Sequence, residues 1–132
     1  RTLERINAVL YVQKYIDHEG ADIRVLILDG RILGAMRRRN DNDFRTNVSR
    51  SGSVEPHELN KTECRTAMQA AAVVGARFAG VDLLYDRSGT CHVIEVNAIP
   101  GWRAFQQTTE CDVALKVVQA LEGGTGKMTK SQ

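Results

Sequence analysis

The sequence is poor in aromatics, which make up 5% of its 132 residues, so any core must be built from aliphatic side chains. The interleaved rings of a base-stacking surface are missing as well. Cysteine is scarce: Cys64, Cys91 and Cys111 are odd in number and form no C-x-x-C spacing. That argues against a disulfide framework or a thiolate zinc site and fits a reducing cytoplasm. No run approaches the roughly 20 apolar residues of a membrane span, and no basic-then-apolar segment looks like a signal peptide. Neither sign of charge dominates, since 18 Lys and Arg against 16 Asp and Glu leave only +2. A nucleic-acid or membrane-surface partner is therefore not implied. What is present, 42% apolar and 26% charged residues, is ordinary globular composition with length for one domain and its core. The chain opens on Arg1 and not on Met, which suggests a longer parent polypeptide.

Apolar periodicity and turn residues divide the chain. Residues 1–7 read as a fraying helix end, and residues 8–16 as an apolar, β-branched run of the buried-strand type. Residues 23–28 and 31–36 flank Asp29-Gly30, a strong hairpin signal. Residues 37–54 turn polar and read as a long substrate loop. Asn60 begins a helix as its cap, with Glu63 as the capping-box partner three residues on. Cys64, Ala67, Met68, Ala71 and Val74 give that helix one apolar face, ending near Gly75. Residues 80–86 and 91–97 form a second hairpin around Arg87-Ser88-Gly89-Thr90, and Pro100-Gly101 makes a turn. A closing helix is expected over residues 112–121, leaving residues 123–132 as a disordered tail after a single domain over 1–122.

The second hairpin carries the chemistry. A four-residue loop sets Asp86 against Cys91 and, counting back, Asp82 against Glu95, with Asn97 two residues along on the same face. Opposed like charges destabilise a sheet unless something compensates them. A hard cation such as magnesium would do so, since it favours carboxylate and carbonyl oxygens. An open, solvated face with weak repulsion explains the same pattern, and local sequence does not choose between the two. Arg24, Arg37, Arg38, Arg39, Arg45 and Arg50 form a second group, suited to carboxylates and phosphates or simply to a solvated basic edge. Gly124-Thr125-Gly126-Lys127 lacks the first glycine and the Ser or Thr of a phosphate loop. His18, His57 and His92 have no ligand spacing and read as satisfied or surface histidines.

Five runs settle the choice by resemblance. Val12-Gln13-Lys14-Tyr15-Ile16, Asp22-Ile23-Arg24, Asp43-Phe44-Arg45-Thr46-Asn47, Ala79-Gly80-Val81-Asp82 and Glu95-Val96-Asn97-Ala98-Ile99-Pro100-Gly101 follow one another in order and spacing. Together they resemble the ribosomal-protein glutamate ligase (RimK-like) branch of the ATP-grasp superfamily, over nearly the whole chain to about Leu121. The resemblance implies an α+β fold: a mainly antiparallel sheet backed by helices, forming the C-terminal subdomain and one wall of an ATP cleft. It implies ATP-dependent joining of a carboxylate to an amine through an acyl phosphate, with glutamate or another amino acid as the expected addition, an acidic one being suggested by the arginines. The acceptor would be a protein C-terminus or a small coenzyme, and homo-oligomerisation is left open.

By the same resemblance, Asp82, Glu95 and Asn97 hold two magnesium (or manganese) ions, with Glu95 bridging. Gln13, Lys14, Tyr15 and Ile16 lie beside adenine and Asp22 near the ribose. Arg45 and Asn47 approach the phosphates or acyl phosphate as catalytic residues, and Arg24 and Arg38 contact substrate carboxylates. Lys14 stands where relatives often carry an acidic residue, and Trp102 follows the Pro-Gly turn. Family members also have a preceding half with phosphate-binding lysines, so this chain by itself is expected to be inactive. The rival expectations are a non-catalytic nucleotide- or metal-binding module of the same fold and a basic RNA-binding domain.

Overall fold

A computed structural model describes residues 13–39, 52–98 and 100–125. Five strands form one antiparallel sheet in the order β3-β2-β1-β4-β5. They are β1 (Ala21–Leu28), β2 (Arg31–Arg39), β3 (Ser53–Pro56), β4 (Phe78–Tyr85) and β5 (Cys91–Asn97). Helices α1 (Lys61–Val74), α2 (Arg103–Thr109) and α3 (Val113–Thr125) complete the expected α+β arrangement.

Strands β1 and β4 occupy the centre because their sequences are apolar on both faces, and most of their residues are buried. Ile23, Val25, Ile27, Val81 and Leu83 pack against Ala67 and Ala71, whose small side chains let α1 approach closely. On the other face Leu26 and Met36 meet Phe105 of α2 and Val113 of α3. Each fully buried large side chain here contributes roughly 1.5–3 kcal/mol. Asp29 and Gly30 both take positive φ, 46° and 72°, as the Asp-Gly hairpin turn requires. Asn60 and Glu63 close the capping box, and Gly75 ends α1 in the left-handed conformation.

Several expectations are corrected. Residues 13–16, the described end of the supposed first strand, pair with no strand, and Gln13, Lys14 and Tyr15 are exposed. Both long edges of β1 are already taken by β2 and β4. The supposed loop starts later, because Arg37, Arg38 and Arg39 pair with β1, and Ser53 and Val54 belong to β3. Residues 40–51 lie outside the described residues, as do residues 1–12 and 126–132. Val74 is 52% exposed, since the last turn of α1 carries it off the core face. Helix α2 was not anticipated, and α3 runs to Thr125, three residues into the expected tail.

Candidate active site

Hairpin β4–β5 brings Asp82 and Glu95 together by a route different from simple counting. Tyr85, not Asp86, pairs with Cys91, and the shift is taken up by a bulge at Ile94, after which Asp82 pairs with Glu95 and Gly80 with Asn97. Asp86 has left the ladder for the turn: its Oδ1 accepts hydrogen bonds from Ser88 N–H (2.9 Å), Ser88 Oγ–H (2.6 Å) and Thr90 N–H (2.9 Å). The Ser88 hydroxyl, His92 and the Thr90 amide hold the Asp86 carboxyl well below its ordinary pKa. Cys91 therefore falls not on the Asp82 face but with Tyr85 and Val96 against the α1-side core. Burial in that setting raises its thiol pKa.

Asp82 is buried, 4% exposed, at the middle of the sheet. Its neighbour on β1 is Arg24, which grips it with two guanidinium hydrogen bonds, from Nε to Oδ1 and from Nη2 to Oδ2 (2.8 Å). Arg38 Nη2 lies 3.2 Å from Oδ2. Arg38 is also paired side-on with Asp22 directly across β1 and β2, its Nε donating to Asp22 Oδ1 at 2.8 Å. Burial works against the Arg38 charge, but Asp22 and Asp82 outweigh it and raise its pKa. The result is a line of alternating charges, Asp22, Arg38, Asp82 and Arg24, with Glu95 exposed beside it.

Cross-strand bonding therefore compensates the Asp82 charge, a partner that spacing along one hairpin cannot reveal. Arg24 and Arg38, expected at a substrate carboxylate, are here engaged with the protein's own carboxylates. Gly80 lets Pro100 pack closely beside them: a Cβ there would lie 2.7 Å from Pro100 Cβ and 3.4 Å from Arg24 Cδ. Gln13 to Ile16 lie in a segment tied to the second hairpin, where Arg87 Nε donates to Asp17 Oδ2 (2.9 Å) and Arg87 N–H to the Asp17 carbonyl (3.2 Å). Arg45 and Asn47 fall outside the described residues. The three histidines are satisfied: His18 accepts from the Gly20 amide, His57 meets Glu63, and His92 meets Asp86.

The donor set suits a hard cation. Among the described residues no three His, Cys, Asp or Glu side chains form a ready-made metal cage. Two carboxylates and an amide, Asp82, Glu95 and Asn97, instead leave most positions to water or phosphate oxygens, as magnesium prefers.

The model of the RimK-like ATP-grasp domain matches residues 1–121. The chain belongs to this family. Among curated relatives, a "Probable alpha-L-glutamate ligase" of Aeromonas salmonicida (strain A449) is 40% identical over 118 residues, covering 88% of this chain and 39% of the relative. A protein of the same name from Methanococcoides burtonii is 37% identical over 129 residues, covering 96% of this chain and 42% of the relative. The RimK-like chain thus spans about two fifths of the length of these relatives. Among solved structures, the ATP-grasp ligase PsnB complexed with minimal precursor, Mg and ADP superposes with a TM-score of 0.66. That match has 27% identity and covers 80% of this chain and 33% of PsnB. The sheet and its helices are accordingly those of an ATP-grasp ligase subdomain.

Proposed function

We propose that this RimK-like chain is the magnesium- and nucleotide-binding wall of an ATP-dependent ligase that joins an amino acid, glutamate in the first instance, to a carboxylate acceptor. The observation that carries the proposal is the pairing of buried Asp82 with Glu95 at the bulge, with Asn97 two residues along. The names of the glutamate-ligase relatives and the Mg, ADP and precursor in the PsnB complex support it.

In the reaction, a carboxylate oxygen attacks the γ-phosphorus of ATP and ADP leaves. The amine of the incoming amino acid then attacks the acyl carbon, phosphate leaves with the bonding pair, and the amine proton passes to solvent or base. Two divalent cations held by Asp82, Glu95 and Asn97 would neutralise phosphate oxygens as charge shifts during transfer. The protein's own part is placement and fixed charge. Residues 13–16 would border adenine, Asp22 the ribose, and Arg45 and Asn47 the phosphates. Arg24 and Arg38 would receive the substrate carboxylate. Cytoplasmic location and an acidic amino-acid substrate belong to the same proposal. Turnover is proposed for a polypeptide of the relatives' length and not for residues 1–132 by themselves.

The test is ADP release by a polypeptide of the relatives' length that contains this chain, across a panel of amino acids and carboxylate acceptors. Release should depend on both substrates, and the Asp82→Ala, Glu95→Ala double variant should lose at least about 100-fold in kcat, the scale of losing a main electrostatic contributor. Turnover at the parent rate in that variant would falsify the metal assignment. ADP binding without turnover on any substrate pair would favour a non-catalytic module.

A further inference from the structure

We infer that Arg24, assisted by Arg38, is a placeholder counter-ion for Asp82, which exchanges guanidinium for divalent cation, and that the freed arginines then receive the anion that arrives with it. This rests on the proposed metal role of Asp82 and Glu95.

Hydrogen-bond capacity motivates the inference. Among the described residues, Asp82 Oδ2 accepts from Arg24 Nη2 and has Arg38 Nη2 3.2 Å away, while Oδ1 accepts from Arg24 Nε, so each carboxylate oxygen already faces a guanidinium. A cation that takes Oδ2 must therefore compete with the guanidinium groups of Arg24 and Arg38. Even a cation on Oδ1 alone sits within a few Å of Arg24, whose side chain is only 12% exposed and thus weakly screened. The two guanidinium charges oppose those of Asp22 and Asp82, and Glu95 alone adds negative charge without an arginine of its own in the line. The resting site is thereby disarmed toward metal ions. Once Asp82 turns to a cation, Arg24 becomes an available fork for a phosphate or carboxylate. Metal and anion then favour one another reciprocally, because each removes the arginine's reason to stay on Asp82.

The alternative is that Arg24 only orients Asp82, as outer partners of metal ligands commonly do, in which case its loss weakens metal binding 10- to 100-fold. Charge and geometry separate in two variants. Arg24→Gln keeps a neutral hydrogen-bond donor and removes the charge, whereas Arg24→Lys keeps the charge and removes the fork.

Binding of Mn²⁺ alone to the full chain, followed by the paramagnetic signal of the free ion, supplies a readout independent of turnover. Arg24→Gln should bind at least about ten-fold more tightly than the parent, the least expected of a unit charge removed from beside a divalent ion. Arg24→Lys should bind as weakly as the parent, and Glu95→Gln should lose the ion. Arg38→Gln, which removes the 3.2 Å contact with Asp82 together with the pair to Asp22 but leaves Arg24 on Asp82, should tighten binding by less and serves if Arg24→Gln does not fold. Adding inorganic phosphate should tighten Mn²⁺ binding in the parent and do so less in Arg24→Gln. Weaker or unchanged binding in Arg24→Gln, with Glu95→Gln still losing the ion, overturns the placeholder role and leaves orientation. Parent-like binding in Glu95→Gln overturns the metal role of the hairpin, and this inference with it.

Discussion

Glu63 shows how much one buried side chain can tie together. It is 2% exposed, and its Oε2 accepts from the Asn60 amide (2.9 Å) and meets His57 Nε2 (3.0 Å), while Oε1 accepts the Tyr85 hydroxyl (2.9 Å). Start of helix, β3–α1 connection and central strand meet at this carboxylate. Burial opposes its charge, but the Asn60 amide, His57 and Tyr85 prevail and lower its pKa. A carboxyl whose folded pKa lies below its unfolded one stabilises fully above the unfolded value, and that contribution fades as pH falls through the folded value. The window therefore opens near the ordinary glutamate pKa of about 4.3 and extends downward. Urea midpoints should fall more steeply below that pH in the parent than in Glu63→Gln, which lacks the titrating group. At neutral pH, Glu63→Ala should cost on the order of 1–3 kcal/mol by leaving buried donors without an acceptor. Identical acid slopes in parent and Glu63→Gln would show that the group contributes nothing to acid stability.

At the scale of elements, the hairpin β4–β5 shows both what the sequence displays and what it conceals. Alternation and Gly89 mark two strands and a turn, but the hydrogen bonds of Asp86 to Ser88 and Thr90 are side-chain chemistry that alternation does not register. Asp86 joins the turn, one residue of slack enters the ladder, and the bulge at Ile94 absorbs it. Two one-residue departures cancel, so Asp82 meets Glu95 as counting predicts while Cys91 changes faces. Helix α1 was legible because its capping box and its terminal glycine are local signals. Helix α2 was not, for Trp102 provides no side-chain cap and the helix has seven residues, held by packing of Phe105. Gly80 belongs to this scale too, since its missing Cβ lets the chain after β5 fold back over β4. Gly80→Ala should destabilise by about 1–3 kcal/mol, because Pro100 is rigid and the 2.7 Å contact cannot relax by a rotamer change. The denaturant midpoint should drop with an unchanged slope. An unchanged midpoint would mean that the return after β5 yields freely.

At the scale of the whole molecule, the strand order does what no single hairpin can. Arg24 and Asp82 are 58 residues apart in sequence and become neighbours because β1 pairs with β4 across a connection that contains β2, β3 and α1. The resemblance to the family named both residues, yet their partnership needed the sheet. The same topology places the proposed metal residues on β4 and β5, the central strand and its edge neighbour, so ion binding should register in global stability. A ligand held only by the folded state at about 100 times its Kd adds about 2.7 kcal/mol. At roughly 2–4 °C per kcal/mol, that is a rise in Tm of roughly 5–10 °C. Magnesium should raise the Tm of the full chain by this amount, reaching it at lower concentration in Arg24→Gln, whose site is no longer masked. Glu95→Gln should show no rise beyond that produced by matched ionic strength, because general screening does not depend on one carboxylate. An equal rise in Glu95→Gln would place the stabilising ion elsewhere on the molecule, whatever the sheet brings together at Asp82.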